Sequence, residues 1–220
     1  MHPLPPARPR AFSLIELLVV MSIIVVITAL VVPAVSGLGR STALVTGGNT
    51  VNNLANLARQ TAISKNTMTA LVLLGKQGTS ADFRAFIVLE YAAGTGGWLP
   101  VTTWQTLPDG IVVDIDDPAN CTFYETSPPA FPFLTGPPVQ KNPPVTFNDA
   151  QVSPTAYAAR IYLPNGGLQN PEKRAQLRVI EGFAQGGKIV RTHPASDSQA
   201  ANYYDVAIIG ATGTTKISRP

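Results

Sequence analysis

The sequence predicts an α+β chain, in which a long hydrophobic N-terminal helix packs on a C-terminal antiparallel β-sheet domain. Two observations carry that expectation. From Phe12 to Val35 every residue but Glu16 is uncharged, and most are large and apolar. After Asn66 helical spacing gives way to short runs rich in β-branched and aromatic residues, separated by glycine and proline turns. The sequence contains no internal repeat.

Residues 1–11 form a basic, proline-broken leader with Arg8 and Arg10. The segment 12–35 is the expected transmembrane helix, since 24 residues at about 1.5 Å each cover a hydrocarbon core of about 30 Å. The leader arginines favour an N-inside orientation. An ordinary secretory signal cut near Ala34-Val35-Ser36, or a plain signal anchor, would leave Glu16 without a role. Pro33 removes one backbone donor and is expected to kink or locally melt the helix. Residues 36–66 read as a flexible stalk around Gly37, Gly39, Gly47 and Gly48, then an amphipathic helix capped by Asn49 or Thr50. Val51, Leu54, Ala55, Ala58 and Ala62 form its apolar face, and it should stop near Lys65-Asn66.

Residues 67–220 form the β-rich globular part. Strands are expected at Thr67–Leu74, Arg84–Tyr91, Ile111–Ile115, Ala158–Leu163, Leu177–Glu181, Tyr204–Ile209 and Thr214–Ile217. The stretch 127–144 holds seven prolines and reads as an exposed loop with polyproline character.

Composition narrows the function. The chain is 45% hydrophobic and only 13% charged, and its formal net charge is +3. Without Arg8 and Arg10 the 16 basic residues fall to 14 against 13 acidic, so bulk attraction to nucleic acid is not expected. Cys121 is the only cysteine, which excludes an intrachain disulfide and suits a buried apolar site.

The leader, then Ala11-Phe12-Ser13-Leu14-Ile15-Glu16 opening the apolar run, resembles the processing signal of type IV prepilins and type II secretion pseudopilins. Leu57–Asn66 leading into Thr69-Ala70-Leu71-Val72 is similar to the helix-to-strand passage of GspH/FimT-type minor pseudopilins. Leu107–Ile111, Ile161–Gly166 and Val206–Gly213 resemble that family in the same order. Prepilin-like cassette proteins of the Verru_Chthon D type are a second family it resembles. The resemblance implies cleavage by a prepilin peptidase between Ala11 and Phe12 and N-methylation of Phe12. It implies further that Glu16 neutralises the Phe12 amine of an adjacent subunit, and that Pro33 sits where pilins often carry proline. Ala11 departs from the glycine usual before the scissile bond. The implied partners are the prepilin peptidase, other pilin or pseudopilin subunits in a filament, and inner-membrane lipid before assembly. Many pilins close a C-terminal loop with a disulfide, which this chain does not do.

Enzymatic readings find little support, and no cofactor or metal is expected. His193 stands before Pro194 in a polar stretch and reads as a loop residue. Gly182–Lys188 approaches a phosphate loop, but Ile189 replaces the magnesium-binding hydroxyl, so a hairpin turn is expected. Asp114, Asp116 and Asp117 read as a solvated acidic edge without calcium-loop spacing. Lys188, Arg191, Lys216 and Arg219 would share a surface if the last strands formed one hairpin. Because some FimT-like minor pilins bind DNA, a DNA contact is the second functional reading. An unprocessed membrane-anchored adhesin is the third.

Overall fold

The computed structural model describes residues 14–95, 97–116, 121–123, 145–153, 156–169, 175–192, 194–196, 199–200 and 202–219, with the side chains of 30–40, 195, 196 and 199 outside that set. The leader 1–11, the proline-rich stretch 127–144, Asp117 and His193 lie outside the described residues. The chain divides into two compact units, Met1–Ser41 and Thr42–Pro220.

A single helix, α1 (Leu14–Lys65), runs through Pro33 and through all four glycines of the expected stalk. The reason for its continuity at Gly47 and Gly48 is packing. Leu44, Gly47, Gly48, Val51, Leu54, Ala55, Ala58 and Ala62 form one buried stripe with the 3, 4 spacing of a helix face. A Cβ on Gly48 would lie 2.1 Å from Tyr204 Cδ1, and one on Gly47 would lie 2.9 Å from Ile111 Cγ2. These glycines bring helix backbone against side chains of the β domain. Asn49 and Thr50 are therefore interior to α1, not caps. Asn49 Oδ1 accepts the Tyr204 hydroxyl at 2.6 Å, and Thr50 donates its hydroxyl back to Thr46 O at 2.9 Å. Asn66, at φ 48°, turns the chain out of the helix as the sequence suggests, with Thr67 N donating to Ala62 O.

The chain then folds into β1 (Thr69–Leu74), β2 (Ala85–Ala92), β3 (Gly97–Pro100), β4 (Gln105–Thr106) and β5 (Ile111–Val113). Next come β6 (Val145–Phe147), β7 (Ala150–Val152), β8 (Tyr157–Tyr162), β9 (Ala175–Gln185) and β10 (Lys188–Arg191). Last are β11 (Pro194–Ser196), β12 (Gln199–Ala200), β13 (Tyr203–Ile208) and β14 (Thr215–Ser218). One sheet has the order β3-β2-β1-β8 with β4 on β2, and a second has β10-β9-β13-β14 with β5 on β9. β6–β7 and β11–β12 are separate two-stranded ribbons. The class is α+β, with two larger sheets sharing the helix where the sequence suggested one.

Thr69-Ala70-Leu71-Val72-Leu73-Leu74 is buried throughout, as a continuous apolar run requires of a strand covered on both faces. Leu71 and Leu73 join the α1 stripe together with Phe86, Val88, Leu177, Val179, Tyr204 and Val206. Ala70, Val72 and Leu74 face the opposite way, onto Val145 and Val152 of the β6–β7 ribbon. Cys121 is buried in the cluster under the helix. Several strands escaped the sequence reading because they are short and half-exposed. β6–β7 left a trace: Asn148 and Asp149 both take left-handed φ, the pairing a two-residue hairpin turn selects. Gly186 and Gly187 do the same between β9 and β10, so the phosphate-loop-like stretch is a hairpin turn.

Candidate functional site

At the start of α1 the side chains leave an unusual surface. Leu14, Ile15, Leu17, Leu18, Val19, Val20, Met21, Ile23, Ile24, Val25, Val26 and Ile27 are all exposed, between 49% and 83%. Such a run covers every face of the helix, far beyond the patch a soluble monomer tolerates. Ser22 and Thr28 donate their hydroxyls to Leu18 O and Ile24 O, at 2.8 and 2.7 Å, so their polarity is turned back into the helix. Among the described side chains of this surface Glu16 is the one ionisable group, in the first turn of α1, where the helix dipole favours an anion. Ala11 and Phe12 lie outside the described residues, and Pro33 is described only by its helical backbone. Among the described residues no helix is long and apolar enough to cross a membrane. Of the expected span 12–35, described side chains cover only 14–29.

The four basic candidates do not come together. Lys188 and Arg191 are on β10, Lys216 is on β14 and Arg219 follows it, with β9 and β13 between the two strands in the sheet order. The last strands form two hairpins, β9–β10 and β13–β14, where a shared surface required one. Arg191 is also committed elsewhere. Its Nη2 and Nε donate to Asp114 Oδ1 and Oδ2 at 2.6 and 3.2 Å, with side chains 8% and 0% exposed. Asp114 is thus an internal ion-pair partner, not part of a solvated acidic edge, and Asp116 accepts the Ile189 N–H at 2.9 Å. Arg219 places its guanidinium 4.8 Å from the Tyr204 ring. Tyr204 thereby joins the C-terminal residues to Gly48 and Asn49 of the helix. Among the described residues no group of three or more His, Cys, Asp or Glu could hold a metal ion.

Burial pushes the Asp114 carboxyl above its ordinary value of 3.8, and the hydrogen bond and charge of Arg191 oppose this without cancelling it. Such a carboxyl binds its proton more tightly folded than unfolded. Its contribution therefore favours folding below pH 3.8 and is lost as the pH rises through the raised folded value. The stability difference between wild type and Asp114→Asn should shrink over that rise, read from denaturant curves at several pH values; a growing difference would refute it. Asp114→Ala alone should cost about 3 kcal/mol, because the buried Arg191 guanidinium loses its carboxylate. Replacing both residues by leucine should restore stability to within about 1 kcal/mol.

The leader, the exposed apolar helix and its single carboxylate have a known counterpart. Residues 7–32 match the prokaryotic N-terminal methylation motif. That motif spans Ala11, Phe12 and Glu16 and ends before Pro33. The chain is also similar to two structures of the minor pseudopilin EpsH from the type II secretion system of Vibrio cholerae. One is 13% identical, with 79% of this chain and 94% of that chain covered at a TM-score of 0.41. The other is 16% identical, with 81% and 94% covered at a TM-score of 0.40. No curated protein matches the chain. Outside the methylation motif the sequence offered no residue signal for the Tyr204 junction, since Gly48 and Tyr204 are 156 positions apart.

Proposed function

We propose that the protein is a minor pilin or pseudopilin subunit, built into a type IV pilus or type II secretion pseudopilus through its N-terminal helix. What carries the reading is Glu16, one carboxylate in the first turn of a helix that is apolar and exposed all round, inside a methylation motif. A prepilin peptidase cuts between Ala11 and Phe12, and the new Phe12 amine is methylated. Before assembly the helix lies in the inner membrane, N-terminus cytoplasmic and β domain periplasmic. In the filament, apolar faces of neighbouring helices cover one another. Glu16 pairs with the Phe12 amine of an adjacent subunit, which fixes axial register because an ion pair in low dielectric tolerates little displacement. Pro33, within α1, leaves one carbonyl of that helix without its usual partner and gives the packed helices room to bend.

Intact mass and N-terminal sequencing of protein from membranes that contain a prepilin peptidase test the processing step. The expected chain begins at Phe12 and is heavier by one methyl group. A start near Ser36 would make the protein a secreted soluble one, and a retained Met1 would favour a membrane-anchored adhesin. DNA binding has less in its favour, because Lys188 and Arg191 are separated from Lys216 and Arg219 and Arg191 is held by Asp114.

A further inference from the structure

The C-terminal strand carries an edge with its own chemistry. In the β13–β14 hairpin Ile209 N donates to Thr214 O at 2.9 Å, and Ala207 and Asp205 lie across from Lys216 and Ser218. The alternation of an antiparallel ladder then turns the N–H and C=O of Thr215 and Ile217 outward. Among the described residues no hydrogen bond reaches those outward groups. β10 is different, since the Ile189 N–H there is taken by the Asp116 carboxylate.

The edge is also held firm. Thr215 Oγ1 donates to Asn52 Oδ1 of α1 at 2.6 Å, and Arg219 stacks on Tyr204 just past the other end. Between these anchors Ile217 is 42% exposed, and Lys216 is exposed with no acidic partner among the described residues. Lys216 and Ser218 share one face of the strand, while Thr215 and Ile217 face the helix side.

We propose that β14 is a docking edge for an extended segment of another polypeptide, added as a further strand beside Thr215–Ser218, with a carboxylate across from Lys216 and an apolar side chain across from Ile217. Backbone pairing supplies attachment, and the alternate side chains supply selection. The lysine also discourages basic strands, as charges on natural sheet edges do. A second copy of the same edge fits less well, because the antiparallel register that pairs the outward-facing Thr215 with Ile217 of the copy sets Lys216 against its own counterpart. The inference stands apart from the filament reading, since it rests on β14 and Lys216 and not on Phe12 or Glu16.

The test uses the full chain in detergent micelles and two dansyl-labelled hexapeptides, Thr-Val-Glu-Val-Thr-Val and the same peptide with Lys for Glu, followed by fluorescence anisotropy. The Glu peptide should bind saturably and about five-fold or more tighter than the Lys peptide. Lys216→Glu should reverse that order. Ile217→Pro should abolish binding yet leave the melting temperature nearly unchanged, because the N–H it removes points to solvent. Amide exchange at Thr215 and Ile217 should slow when the Glu peptide is present. Equal affinities for the two peptides, no binding of either, or binding that survives Ile217→Pro would each overturn the proposal. So would self-association that Ile217→Pro blocks while neither peptide binds.

Discussion

A Glu16→Leu chain is expected to enter the membrane as the wild type does and yet to appear in filaments at least ten-fold less. The two halves separate because they rest on different properties. Insertion depends on the apolar run, and Leu in place of Glu16 only strengthens it. In the proposed filament, incorporation depends on neutralising a cationic Phe12 amine away from water, where an ammonium without its partner is strongly disfavoured. Glu16→Gln, nearly the same shape without the charge, should fail almost as badly, and Glu16→Asp should recover in part. Membrane fractionation and quantitative immunoblotting of sheared filaments provide the measurement. Normal incorporation of both the Leu and Gln chains would remove Glu16 from the mechanism.

The Gly48→Ala chain should be destabilised by about 3 kcal/mol, which for a chain of this size lowers the melting temperature by roughly 6–12 °C. Helix propensity alone predicts a gain of about 1 kcal/mol, so the sign of the result decides which effect rules. The added Cβ would sit 2.1, 2.3 and 2.4 Å from Cδ1, Cγ and Cε1 of Tyr204. The ring has no easy retreat: its hydroxyl is bonded to Asn49, Arg219 lies over it, and its backbone pairs with Val179. Gly94→Ala, with nothing within 4 Å of the new methyl, is the control and should be close to neutral. Combining Gly48→Ala with Tyr204→Leu should cost less than the sum of the two, since the clash goes with the ring. A neutral or stabilising Gly48→Ala, followed by near-ultraviolet circular dichroism during heating, would mean that the glycines serve flexibility after all.

These two residues illustrate what a linear reading can reach. The methylation motif around Glu16 was legible because its signal is local, a carboxylate against an otherwise apolar run a few residues after a basic N-terminal stretch. The α1 stripe from Val51 to Ala62 and the buried strand from Thr69 to Leu74 were legible for the same reason, as hydrophobic periodicity lies within a dozen residues. Gly48 was misread because a glycine's local effect is to weaken a helix, and only a ring 156 positions away converts it into a contact. Asp114 and Arg191 belong to the same class: an acidic cluster and a basic cluster, each plausible as a solvated face, whose members neutralise one another inside the fold.

What the sequence determined by itself was the class of the chain, its anchor-like apolar helix and the methylation motif with Glu16 inside it, all set by neighbours along the chain. Only the tertiary structure decided that the helix runs on through its glycines, that two sheets share it, and that the basic residues part company at β10 and β14. Those outcomes depend on which distant side chains fill the space beside each residue. The energy of close packing and of a buried charge belongs to that neighbourhood, and the order of residues along the chain does not contain it.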